Sequence, residues 1–187
     1  MFKFINNRFG SKKGLLNSLK FGIYLLAGKY NFATHLDFNV INRFVFVCSG
    51  NICRSPLGEI VIKEMGGNSI SFGLDTRGGD KADPRIVAFG KNNGLDLSKH
   101  ITQRVDQYTP QSGDLLIGME PSHLAKLQTL FPNNQITSLG LWLPFKRVYL
   151  HDPYSANIEY FNRCAKEIVL ASRIFYKKAS GIKHHNT

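Results

Sequence analysis

The sequence predicts an α/β fold: a three-layer αβα arrangement with a four-stranded parallel sheet and a phosphate loop between its first strand and first helix. Three observations predict it. Short β-branched or aromatic runs alternate four times with segments of helical spacing. Ser-Pro and Asp-Pro pairs stand where two of those helices would begin. Between the first strand and its helix lies Cys48-Ser49-Gly50-Asn51-Ile52-Cys53-Arg54-Ser55-Pro56, at the carboxyl end of a strand, where open parallel sheets bind ligands.

In chain order, Phe44-Val45-Phe46-Val47 is the first buried strand. Ser55 as N-cap and Pro56 at the first helical position open a helix running to about Met65, stopped by Gly66-Gly67. Residues 69–74 form a second strand candidate. Asp83-Pro84 starts the next helix by the same capping logic, and Asn93-Gly94 ends it. Leu115-Leu116-Ile117 is a third strand, followed by a helix from about Pro121 that stops before Pro132. A weaker fourth strand lies at 136–139. The last helix is expected from about Ser155, with Ile158, Phe161, Ala165, Ile168 and Phe175 at helical spacing.

With 187 residues, 43% of them hydrophobic and 20% charged, the chain can bury one continuous core and is not of disordered type. The net charge of +11 is unevenly spread: residues 1–42 hold six Lys or Arg against one acid, Asp37, a balance of +5. Such a surface favours anionic partners, whether phosphorylated proteins, acidic lipid or nucleic acid. Three scattered cysteines (Cys48, Cys53 and Cys164) exclude a disulfide scaffold and a closed zinc site. No apolar run approaches the roughly 20 residues that span a bilayer. A cytoplasmic setting is the expectation.

The loop carries the chemistry. A helix N-terminus offers free N–H groups and the positive end of its dipole to an anion. Gly50 and Asn51 suit the left-handed backbone that curls such groups into a nest. That positive potential also favours the thiolate of Cys48, the reactive form, and Ser55 could donate a hydrogen bond to it. Arg54 offers a planar fork to two phosphate oxygens, which Lys could not copy. The alternative, a buried small residue and an unrelated surface charge, leaves the strand, the Gly-Asn turn and the Ser-Pro start unexplained.

These residues resemble the low-molecular-weight protein tyrosine phosphatases, whose signature Val-Cys-x-Gly-Asn-Ile-Cys-Arg-Ser-Pro is reproduced by Val47 to Pro56. The likeness extends through Ser71-Phe72-Gly73, Asp83-Pro84-Arg85, Gly94 to His100 and Asp114 to Glu120, from about 43 to about 178. The resemblance implies Cys48 as nucleophile, Arg54 as phosphate fork and Asp152, in His151-Asp152-Pro153-Tyr154, as general acid. It implies that Ser49, Gly50, Asn51, Ile52, Cys53 and Ser55 line the substrate site, with no metal or cofactor. It also implies that Cys53 can form a reversible disulfide with Cys48, and that Ser71 and His100 brace Asn51. Tyr154 either stacks on an aromatic leaving group or is a packing aromatic.

Some positions depart from the family pattern: Phe72 replaces a small residue, Glu120 an Asp, and Ile101-Thr102-Gln103-Arg104 differs after the histidine. Ile52 fits phosphotyrosine, because relatives acting on phosphoarginine carry Thr there. An arsenate reductase of the same fold would need two further relay cysteines, and only Cys164 is left, in the last helix. A non-catalytic phosphoprotein-binding module would have lost the nucleophile, the arginine or the acid.

Residues 1–42 have no counterpart in the minimal family domain, and 179–187 read as a basic tail. In the first segment Leu15, Leu19, Ile23 and Leu26 share a helical face near Lys12, Lys13 and Lys20. That pattern suits a basic amphipathic helix on an anionic membrane surface or a partner, or an arm packed on its own domain. Family members that oppose tyrosine kinases of capsule or exopolysaccharide export make a membrane-bound kinase the expected substrate.

Overall fold

The structure, a computed structural model, describes residues 2–185. Strands β1 (Arg43–Cys48), β2 (Ser69–Gly73), β3 (Asp114–Gly118) and β4 (Gln135–Ser138) form one parallel sheet in the order β2-β1-β3-β4. Helices α1 (Phe2–Phe9) and α2 (Lys12–Leu26) precede it; α3 (Arg54–Glu64), α4 (Pro84–Lys91), α5 (Pro121–Leu130) and α6 (Ile158–His185) are interleaved with the strands or follow them. The expected α/β sheet with helices on both faces is what the chain forms.

Alternation along β1 divides the core into two. Phe44, Phe46 and Cys48, with Leu115 and Ile117 of β3, face α3, α4 and α6. Val45, Val47, Leu116 and Phe72 face the other way, onto Leu124 and Leu127 of α5. Residues before the sheet complete this second layer: Tyr30 and Ala33 are buried in it, and Phe21, Tyr24 and Leu25 pack against it.

Two helix starts differ from the sequence reading. Cys53, not Ser55, is the N-cap of α3; Ser55 is inside the first turn, fully buried, with its hydroxyl against the Cys48 sulfur. The free amides of this helix therefore face the loop instead of a capping side chain. The last helix begins at Ile158 rather than near Ser155, and Asn157 Oδ1 accepts from the Tyr160 amide (2.9 Å) as its capping bond. Asp83 caps α4 as expected, its carboxylate accepting from the Arg85 amide. At its far end α6 continues past residue 178 to His185 with Ala179 buried, so 179–185 prolong the helix instead of forming a separate tail.

The sheet is pinned at its amino end by a buried ion pair. Arg43 donates Nε and Nη2 to the two carboxylate oxygens of Asp114, each at 2.7 Å, and the Tyr108 hydroxyl adds a third bond at 2.6 Å. Burial alone would raise the Asp114 pKa, but Arg43 and Tyr108 outweigh it and hold it below the usual carboxylate value. Asp114→Asn should cost about 3 kcal/mol, read from the urea midpoint, because it strands a half-buried guanidinium. The depressed folded pKa sets the sign of the pH dependence. This stability is complete above the ordinary value of 3.8 and is lost as pH falls through the folded one. The variant should therefore lose Asp114's share of the parent's acid-side slope.

Candidate active site

The loop between β1 and α3 curls around one residue. Asn51 is fully buried and is the sole non-glycine with positive φ among the described residues (55°). Gly50, expected to share that conformation, does not. The left-handed residue survives because its side chain is fully used. Asn51 Nδ2 donates to Ser55 Oγ (2.9 Å) and Ser71 Oγ (2.8 Å), and Oδ1 accepts from the Gln103 amide (2.8 Å). Its carbonyl accepts from His100 Nε2 at 2.7 Å, and burial depresses that imidazole's pKa, keeping it neutral. Ser71 and His100 thus make the bracing contacts that the resemblance implied.

The turn aims groups at sulfur. Cys48 Sγ accepts from the Asn51 amide at 3.3 Å and lies 3.1 Å from Ser55 Oγ. Gly73 allows this packing: a Cβ there would stand 2.9 Å from the Ser49 carbonyl and 3.1 Å from Asn51 Cβ. Phe72, the departure just before it, points to the opposite face of the sheet and packs at a tilt against Tyr108 (centroids 5.2 Å apart), so it leaves the loop undisturbed.

Arg54 is the largest fully buried side chain. Nη2 donates to Asp152 Oδ2 at 2.6 Å, while Nη1 reaches Glu120 Oε2 at 3.2 Å and the Leu150 carbonyl at 3.1 Å. Burial opposes its charge, but Asp152, Cys48 and Glu120 more than compensate and raise its pKa further. The Glu that stands for the family's Asp therefore still reaches the guanidinium. Asp152 comes from the loop before α6, 104 residues after Cys48 in the chain.

Cys48, Ser49, Gly50, Ile52, Cys53, Arg54, Asp152 and Tyr154 line one cleft of about 250 Å³, with Asp75 at its edge. Asn51 and Ser55 lie beneath it, fully buried. Tyr154 stands at the mouth, 57% exposed, its carbonyl accepting from Arg85 Nη2 (2.8 Å). Arg85 is itself paired with Asp83 (2.7 Å), whose amide donates to the Ile52 carbonyl (2.9 Å). The Asp-Pro-Arg segment so ties loop, helix and cleft mouth together. The Cys53 thiol is buried, and burial together with Asp83 pushes its pKa far up. Cys164 is buried in α6 with its pKa raised to about 12, chiefly by burial.

Two histidines of this site escaped the sequence reading. His123 of α5 accepts from the Met119 amide at Nδ1 (3.3 Å), which leaves Nε2–H to donate to Ser49 Oγ (3.2 Å). Burial and then Arg54 push its pKa down to about 3, so it is a neutral donor rather than an ion-pair partner of Glu120. His151, beside Asp152, is held between Tyr149 and Ser11. His123 has no motif around it and is recruited from α5 by folding; His151 lies inside the His-Asp-Pro-Tyr motif, but its partner Ser11 comes from 140 positions away.

The family model for low molecular weight phosphotyrosine protein phosphatase matches residues 43–183. The low molecular weight protein-tyrosine-phosphatase Etp of Escherichia coli K12 is 29% identical over 143 residues, 74% of this chain and 95% of Etp. The crystal structure of the tyrosine phosphatase Wzb from Escherichia coli K30, in complex with sulphate, superposes with a TM-score of 0.64 at 29% identity, covering 74% of this chain and 98% of Wzb. The YwlE arginine phosphatase from Geobacillus stearothermophilus shares the fold at 20% identity, with a TM-score of 0.67 over 78% of this chain and 97% of that one. Across sequence and structure, then, the chain belongs to the low molecular weight phosphotyrosine protein phosphatase family.

Proposed function

We propose that this chain hydrolyses phosphotyrosine in proteins through a phosphocysteine intermediate, with Cys48, Arg54 and Asp152 as its catalytic residues. One observation carries the reading: a thiol that accepts a backbone N–H, a buried guanidinium and a carboxyl group line the same small cleft. In the first step Cys48 Sγ attacks phosphorus, the bond to the aryl oxygen breaks, and Asp152 gives that oxygen its proton. In the second, water attacks phosphorus, Asp152 takes the water's proton, and sulfur leaves. Arg54 now spends its fork on Asp152 and Glu120. An entering dianion competes for that fork and releases the Asp152 carboxyl group toward the leaving oxygen.

Ile52 and Tyr154 support phosphotyrosine over phosphoarginine: both place apolar or aromatic surface along the cleft, matched to a flat ring. The test compares a phosphotyrosine peptide with its phosphoarginine counterpart at mildly acidic pH under reducing conditions. Turnover confined to the first, lowered about 10²-fold in kcat/KM by Asp152→Ala, is the expected result. Absence of phosphotyrosine turnover would overturn the reading.

The outer face of α2 supports a membrane-associated substrate, such as a tyrosine kinase of polysaccharide export. α2 turns Gly14, Phe21 and Leu25 inward and leaves Leu16, Leu19, Ile23 and Leu26 between 58% and 91% exposed, beside Lys12 and Lys20. An apolar stripe flanked by lysines suits the interface of an anionic bilayer. Among the described residues no helix is long and apolar enough to cross a membrane. Flotation with phosphatidylglycerol-containing vesicles should recover the protein in the lipid fraction, and Leu19→Glu with Ile23→Glu should release it. Equal flotation of both proteins would exclude this role for the stripe.

A further inference from the structure

Residues 2–26 reach the general-acid loop from behind. Ser11, in the turn between α1 and α2, places Oγ 3.1 Å from His151 Nε2. Asn17 of α2 donates to the Tyr149 hydroxyl (3.2 Å), which lies 2.6 Å from His151 Nδ1. One assignment satisfies the whole chain: Tyr149 accepts from Asn17 and donates to Nδ1, and Nε2–H donates to Ser11. Asn7 of α1 accepts from Asn157 Nδ2 (2.7 Å), just past the loop. The close approach is built in at Gly10, with φ +78°, where a Cβ would stand 2.5 Å from His151 Cδ2 and 2.9 Å from the Tyr160 ring.

The catalytic domain holds the same loop on its other side. The His151 carbonyl accepts from the Tyr160 hydroxyl (3.2 Å), and the Cys164 thiol points to it at 3.8 Å. The Leu150 amide donates to the Met119 carbonyl (2.9 Å). The ring of His151 is thus gripped by α2 and its carbonyl by α6, one residue before Asp152. Asp152 itself is anchored less firmly, its side chain 43% exposed.

We infer that the α1–α2 pair is an intramolecular clamp on the Asp152 loop, with Ser11 and Asn17 as positioning residues acting through His151 and Tyr149. The inference rests on the reading of Asp152 as general acid. Its signature is dependence on the leaving group. A well-placed acid makes a poor leaving group depart almost as readily as a good one; a displaced acid penalises the poor one selectively.

The experiment measures kcat/KM of the whole 187-residue chain for p-nitrophenyl phosphate, with a good leaving group, and phenyl phosphate, with a poor one. Ser11→Gly removes the hydroxyl at small cost to the cap of α2, and Asn17→Ala removes the second donor. Together they should lower turnover of phenyl phosphate about tenfold and of p-nitrophenyl phosphate less than about twofold. Ser11→Thr, which restores the hydroxyl, should recover most of the phenyl phosphate rate in the Ser11→Gly comparison. Inhibition by inorganic phosphate should not change in any of these variants, since the phosphate loop is untouched. In an Asp152→Ala background the pair should have no further effect on either substrate.

Equal loss on both substrates, weakened phosphate inhibition, a loss that persists in Asp152→Ala, or no loss at all would each overturn the clamp. If Asp152→Ala alone fails to penalise phenyl phosphate selectively, it is the acid assignment that falls, and the clamp falls with it.

Discussion

Cys48→Ser should abolish turnover of phosphotyrosine peptides, with a fall of at least about 10⁴-fold in kcat measured against the intact protein. The hydroxyl would occupy the same bowl, facing the Asn51 amide and Ser55, so phosphate binding should persist. What disappears is the sulfur nucleophile; a serine hydroxyl in its place would need a base to become one. His123, which reaches Ser49 of the loop, is held neutral with its proton turned to Ser49 and Nδ1 already taken by the Met119 amide. It cannot deprotonate a replacement. Retained turnover would mean that the reacting group is elsewhere.

Arg54→Lys should lower kcat about 10³-fold, with the larger part of the loss in the chemical step. Lysine keeps the charge, so a test of charge alone would find little change. The buried guanidinium instead serves three acceptors from two different Nη atoms: Asp152, Glu120 and the Leu150 carbonyl. An ammonium presents one nitrogen and cannot hold a planar phosphoryl group across two oxygens. It also gives up the carbonyl of Leu150, two residues before the acid, which loosens the loop that carries Asp152. Single-turnover kinetics separate this from weaker binding; a loss confined to KM would contradict it.

How much of this could be read in the chain depends on how local the cause is. The strands at 44–47 and 115–117 were legible because apolar runs buried between two helical layers have no polar face to confuse them, whereas β4, with Gln135, Thr137 and Ser138 around Ile136, gave a weaker signal. Asp83 was legible as a cap because its carboxylate accepts from the Arg85 amide and pairs with the same residue's guanidinium, both of them close in sequence. Ser55 was misread as a cap for the opposite reason: its hydroxyl is claimed by Cys48 and Asn51, so the helix starts earlier, at Cys53. Asn51 was legible as a left-handed residue, whereas Gly50, free to adopt that conformation, does not. Propensity allowed both and the hydrogen bonds selected one.

The amino-terminal segment was the least legible. Its apolar stripe was visible in Leu19, Ile23 and Leu26, but ordinary amphipathic logic would bury that face. The structure docks the opposite one, where Gly14 permits close approach and Asn17 and Ser11 make specific bonds. No periodicity encodes a histidine recruited from 140 positions away.

The sparse burial of that docked pair has a kinetic consequence. α1 buries no residue completely and α2 buries only Gly14, whereas every residue of β3 is buried. Opening free energies in a folded protein scale with what is lost on opening. The amides of α1 and α2 should therefore exchange with deuterium through their own sub-global excursion, well before those of β1 and β3, which require global unfolding. Each excursion should release the ring of His151 as well, so on the proposed clamp the protein would alternate between a long-lived species with the Asp152 loop held and a brief one with it free.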